Sequence, residues 1–178
     1  MSETPETPRI LIACVGNIFH GDDAFGVEVA KAFAGRTLPP TVRVEDFGIR
    51  GLDLTYALLG GCDAAIIVDA CPRGGSPGTL YVIEPQPDAA TGSEPTPENL
   101  TLEAHAMNPD KVLRAVRAMG GGVQRVLVVG CEPAKIDPDE MSMEISPPVL
   151  AAVEPAVALI ESLVEKLMRE EVPATRPA

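Results

Sequence analysis

The sequence predicts an α/β protein, a single domain built on a mainly parallel, twisted sheet with helices on both faces. Short apolar runs of strand length alternate with segments of helical periodicity along most of the chain. The apolar runs are continuous and rich in Val, Ile, Leu and Ala, the composition of strands buried on both faces. At 178 residues the chain has the length of one domain with a substantial core.

The first run, residues 9–15 ("RILIACV"), reads as a buried strand, and Gly16–Asn17 turns the chain out of it. From about Asp23 to Ala34, Val27, Ala30, Phe33 and Ala34 fall at helical spacing, and Gly35 supplies a stop. Residues 41–47 ("TVRVEDF") alternate like a strand. Gly48 and Gly51 then open a short helix carrying Leu54 and Leu58. Residues 64–70 ("AAIIVDA") form another buried strand, and 79–85 ("TLYVIEP") a further one after the turn signal "GGSPG". Residues 85–100, proline-rich, acidic and poor in large apolar groups, read as a mobile exposed loop within the domain. Asn108 and Pro109 are a cap and first helical position for a helix whose inner stripe is Val112, Leu113, Val116 and Met119. Residues 125–130 ("RVLVVG") are the last strand. Val149, Val153, Val157, Ile160, Val164 and Leu167 then mark the apolar face of a long terminal helix. The expected organisation is a flexible tail over 1–8, the domain over 9–168 and a second tail over 169–178.

Composition narrows the function. The formal net charge of −12 argues against nucleic acid or an anionic membrane as partner. No apolar run approaches the ~20 residues of a bilayer span, and "MSETPETP" lacks the basic and apolar regions of a signal peptide. Cys14, Cys62, Cys71 and Cys131 show no C-x-x-C spacing and read as reduced thiols, mostly buried, in a cytoplasmic protein.

In folds of this class, sites form where strands end and the next loop begins. The stretch "VGNIFHGDDAFGV" (15–27) has the strand, glycine turn and helix of many nucleotide sites. However, Gly16, Gly21 and Gly26 do not make G-x-G-x-x-G, and no P-loop occurs. Asp22 and Asp23 stand where a phosphate would sit, and a cation suits them better. One of the two, Asp22, has helix capping as its simpler role. Asp69 closes an apolar strand, so its charge needs compensation by hydrogen bonds, a cation or protonation. Its plainer role is to tie down a neighbouring loop. His105 and His20 are the only histidines. Carboxylates at 22/23 and 69 with an imidazole form an oxygen–nitrogen set suited to a first-row divalent ion such as Ni²⁺ or Zn²⁺. Cys71, two residues beyond Asp69, is the one thiol able to approach the site, and packing explains it as well.

Five segments together resemble the [NiFe]-hydrogenase maturation proteases, endopeptidases that trim the C-terminus of the hydrogenase large subunit. They are "ILIACVGNIFHGDDAFGVEVA", "EDFGIRGLDL", "CDAAIIVDACPRGGSPGTLYVI", "HAMNPDKVLRAV" and "VVGCEPAKIDPDEMSMEISPPVLAAVEPAV", spread over residues 9–168. The resemblance implies a phosphorylase/hydrolase-like α/β fold and places the metal contacts at Asp23, Asp69 and His105. It also implies a nickel ion delivered within the substrate rather than a resident cofactor, no organic cofactor, and the large-subunit precursor as partner. A monomer is implied as well, with Asp23 or Asp69 as the base that activates water. The chain departs from the family pattern at Ala24, where many relatives carry Gly, and at Glu103–Ala104, where Ser or Thr often precedes the histidine. Competing readings are a non-enzymatic, chaperone-like nickel binder using the same ligands, a nucleotide or small-molecule binder, and a protease of this fold with another substrate, as in the related spore germination protease.

Overall fold

The computed structural model describes residues 7–85, 109–134, 136, 139 and 141–170. Five strands form one sheet: β1 (Ile10–Val15), β2 (Val42–Gly48), β3 (Ala64–Ala70), β4 (Leu80–Ile83) and β5 (Arg125–Cys131). Their order across the sheet is β2-β1-β3-β5-β4, all parallel except β4, which runs antiparallel along one edge. Among the described residues five α-helices connect and flank them: α1 (Phe25–Phe33), α2 (Gly51–Leu59), α3 (Pro109–Ala118), α4 (Pro147–Ala151) and α5 (Val153–Arg169). The predicted α/β class and mainly parallel sheet are what the structure has.

The continuous apolar strands are explained by what covers them. Along β1 and β3 successive side chains point to opposite faces, so Ile10, Ile12, Cys14, Ile66 and Val68 enter one core. Leu11, Ala13, Val15, Ala65 and Ile67 enter another. The first core is closed by Phe25, Val29 and Phe33 of α1 and by Val149, Val153, Val157, Ile160, Val164 and Leu167 of α4 and α5. The second is closed by Leu54 and Leu58 of α2 and Val112, Leu113 and Val116 of α3. Truncating a central residue such as Ile12 or Ile66 to Ala is expected to cost about 2–5 kcal/mol.

Three local differences from the sequence reading have physical causes. The helix expected from Asp23 begins instead as a 3-10 turn, Gly21–Ala24, and becomes α-helical only at Phe25. Met119 lies beyond the end of α3 and is about half exposed, so it drops out of the inner stripe. The terminal helix is broken at Ala152 because Pro155 has no N–H to donate to Ala151 and its ring opposes that carbonyl. The stretch Pro147–Arg169 has the length and mean hydropathy (1.5) of a membrane span, but its apolar stripe is buried against the sheet. The expected loop over 85–100, apart from its first residue, and the cap at Asn108 lie outside the described residues.

Candidate active site

After β1 the chain goes to β2 on one side, and β3 then lies on the other side of β1. This reversal opens a crevice at the carboxyl ends of β1 and β3. Cys14 pairs in register with Val68, so the strands end nearly level, with Asp69 one residue farther along β3. Asp23 reaches the same place on the loop that follows β1.

Backbone geometry fixes that loop. Gly16 has φ 153°, and a Cβ there would overlap the carbonyl oxygen of Asp23. The Asn17 N–H donates to the Asp23 carbonyl oxygen (3.1 Å) and also lies 3.2 Å from its Oδ2. Asn17 Oδ1 accepts from Phe19 N–H at 3.0 Å, closing a local turn. A Cβ on Gly26 would overlap the Val15 carbonyl and come within 2.6 Å of the Val68 carbonyl, so α1 is seated directly on the ends of β1 and β3.

The two carboxylates are poised against each other. Burial raises the Asp23 carboxyl above its usual range, opposed by the Asn17 hydrogen bond and by His20. Asp69 is pushed up to about 8, first by burial and then by the negative charge of Asp23, against a hydrogen bond from Ala70. That bond, Ala70 N–H to Oδ1 at 2.8 Å, holds the Asp69 carboxyl from its own strand, and among the described residues no amide of a neighbouring loop donates to it. A half-buried carboxyl pair with so few donors among the described residues either keeps a proton or takes up a cation. The structure thus brings together Asp23 and Asp69 as the sequence anticipates, while His105 lies outside the described residues. Among the described residues, no three His, Cys, Asp or Glu side chains are grouped to hold a metal.

Asp22 departs from both roles considered for it. It caps no helix and is not part of the carboxyl pair. Its side chain is 2 % exposed and accepts from Ala134 N–H (2.7 Å), Ser146 N–H (2.7 Å) and Ser146 Oγ (2.8 Å). It therefore pins the segment that follows β5 onto the Asp23 loop. His20 forms a parallel bridge with Ser142 in that segment, with its Nδ1 buried and without a hydrogen-bond partner among the described residues. The Cys71 thiol is pushed up to about 12 by burial and by Asp69, with Arg73 opposing, and so stays protonated and unsuited to nucleophilic attack.

Glu132 is the residue the sequence reading passed over. It follows β5 as Asp69 closes β3, and its buried carboxylate accepts from Arg73 N–H (2.9 and 3.1 Å), Gly74 N–H (3.1 Å) and the Tyr81 hydroxyl (2.8 Å). Burial pushes the group up, but the bonds from Tyr81 and from the Arg73, Gly75 and Gly74 amides outweigh it and hold the carboxyl below its usual range. Glu132 thereby shapes the loop that leaves Asp69. The signal was available, since a lone acid directly after an apolar strand poses the same question at 132 as at 69.

The family model for hydrogenase maturation proteases matches residues 27–163 of this chain. The chain belongs to the hydrogenase maturation protease family. Among its relatives is the hydrogenase 2 maturation protease of Escherichia coli, 32% identical over 173 residues that cover 92% of this chain and 98% of that one. The Rhizobium leguminosarum hydrogenase expression/formation protein HupD is 32% identical over 89% of this chain and 77% of its own length. Among solved structures, the hydrogenase maturating endopeptidase HybD of E. coli is similar with a TM-score of 0.67 and 28% identity, covering 89% of this chain and 93% of that one. The hydrogenase 2 maturation peptidase of a Thaumarchaeota archaeon is similar at 0.63 and 27%, covering 88% and 97%. As a member of this family the chain is an endopeptidase, a hydrolase, and none of these relatives supports a non-enzymatic reading.

Proposed function

We infer that this maturation protease removes a short C-terminal peptide from the precursor of a [NiFe]-hydrogenase large subunit after nickel has been inserted. In this reading it recognises the substrate's nickel through Asp23, Asp69 and His105. The observation that carries the reading is the pairing of two under-compensated carboxyls, Asp23 and Asp69, at the carboxyl ends of β1 and β3. A cation entering between them displaces the proton from Asp69 and removes the repulsion between the pair. Metal already held by the precursor is bound most tightly when these side chains complete its coordination, which fixes the adjacent peptide bond beside them. Asp23 or Asp69 then takes the proton from the attacking water. The protein works as a monomer in the cytoplasm and needs no organic cofactor.

The test is cleavage of the large-subunit precursor, nickel-loaded and nickel-free, followed by intact-mass spectrometry. Cutting of the loaded form alone is the expected result. Equal cutting of both forms would leave the protease and remove nickel recognition, and cutting of neither would overturn the substrate assignment.

A further inference from the structure

Beyond the site, one exposed feature is built with unusual care. Ser142 N–H donates to the Phe19 carbonyl (2.9 Å) and Gly21 N–H to the Ser142 carbonyl (2.7 Å), pairing residues 19–21 with 141–143 as a short parallel ribbon. In such a pair His20 and Ser142 share one face, and Phe19, Met141 and Met143 share the other. The first face is partly buried, while the second leaves Phe19 45%, Met141 76% and Met143 71% exposed. The ribbon is anchored from beneath by the three hydrogen bonds to Asp22. Along the chain it is continuous with Asn17, whose N–H holds Asp23.

Nothing in the domain's own core needs these side chains outside. A water-facing loop of a protein with net charge −12 has ready polar alternatives, so their exposure points to a partner. Resting on the proteolytic reading above, we propose that Phe19, Met141 and Met143 form the docking surface for the folded body of the precursor, seated on apolar residues of that protein next to its metal-bearing segment. Its position decides the occupant. The ribbon carries the same loop that presents Asp23, so a protein whose peptide bond lies at the Asp23–Asp69 crevice must pass over it. A patch of three side chains is small beside the about 800 Å² per partner of a durable dimer, which favours a contact made during turnover over a lasting second copy of this chain. Methionine also suits a contact made and released each turnover, because its flexible, polarizable chain adapts to an apolar surface without demanding one fixed fit.

The experiment compares the intact protein with a variant carrying Phe19→Ser, Met141→Ser and Met143→Ser. A second variant carries Met141→Leu and Met143→Leu, and Tyr56→Ser on α2 serves as an exposed control. Binding to immobilised nickel-loaded precursor and steady-state cleavage are measured together, with Tm and the sedimentation profile of each variant. The serine variant is expected to keep its Tm, bind about tenfold or more weakly and raise KM more than it lowers kcat. The leucine and Tyr56 variants should stay near wild type. Unchanged binding and KM in the serine variant would overturn the docking surface while leaving the protease intact, as would a wild-type dimer that the serines dissolve. Failure of the wild type to bind the precursor would overturn it too. Binding without cutting, weakened by the serines, would support the surface and count against the proteolytic reading alone.

Discussion

Asp69 and Glu132 sit at matching places in the fold, at the carboxyl ends of the adjacent strands β3 and β5, yet they live in opposite states. Glu132 is surrounded by donors, and its carboxyl is held below the usual range. Asp69 accepts from the Ala70 amide, faces the charge of Asp23 and is pushed up to about 8. The same topology thus produces a well-satisfied acid and a poorly compensated one, and the number of donors aimed at each separates them. Asp22 and Asp23 repeat the contrast within two consecutive residues. Asp22 is satisfied by Ala134 and Ser146, whereas Asp23 is left short.

The strongest way to break this comparison is Asp69→Asn. If Asp69 is the reactive acid, precursor cutting should fall by about 10²–10⁴-fold, with the fold intact. The same change should stabilise the protein. A carboxyl raised from 3.8 to about 8 on folding binds a proton in the native state that the unfolded chain has released. Its contribution is therefore fully present below pH 3.8 and is lost as pH rises through about 8. Removing the ionisable group should raise stability near pH 8 by about 1–3 kcal/mol, read by urea unfolding at pH 5 and pH 8. A variant that loses stability while largely keeping its cutting would place Asp69 with Glu132 instead.

Next in size is Asp22→Ala. It strands the buried amides of Ala134 and Ser146 and should cost about 3 kcal/mol, lowering Tm before any catalytic effect is counted. Gly26→Ala should cost about 1–3 kcal/mol by driving α1 off the strand ends, and cutting should fall more than unfolding explains. The pH profile of kcat/KM sharpens the contrast further. If Asp69 acts as ligand or base, the rate should climb between about pH 6 and 8 and level off above; a rate that falls over the same range would make it the acid. Glu132→Gln gives the smallest effect, a drop in Tm with cutting largely kept. Because the Glu132 carboxyl is held low, its support should persist at neutral pH and fade only as acid titrates it below the usual carboxylate range.

The fold was legible because its signal is redundant. Each of β1, β3 and β5 is a continuous apolar run that only a doubly covered strand explains. The stripe from Val149 to Leu167 survives the break at Ala152, since a kink leaves the inward face in place. Asp23 and Asp69 were legible for a different reason, as charges stationed where an apolar strand gives way to a loop. Asp22 and Glu132 were not, because their partners lie far away along the chain, at residues 134 and 146 for one and 73–81 for the other. A hydrogen bond spanning that much sequence leaves no local periodicity to read. The placing of Phe19, Met141 and Met143 on one face has the same origin, since only the pairing of residues 19–21 with 141–143 creates it.

The seat of α1 on Val15 and Val68 has a consequence for how this protein tolerates change. There a helix rests on strand ends through main chain alone, with no room for a methyl group between. Side chains elsewhere can be exchanged, resized and repacked over long divergence, and the separation of Asp23 from Asp69 will not follow them. It is held as in a machinist's gauge block, metal face on metal face with no shim to wear.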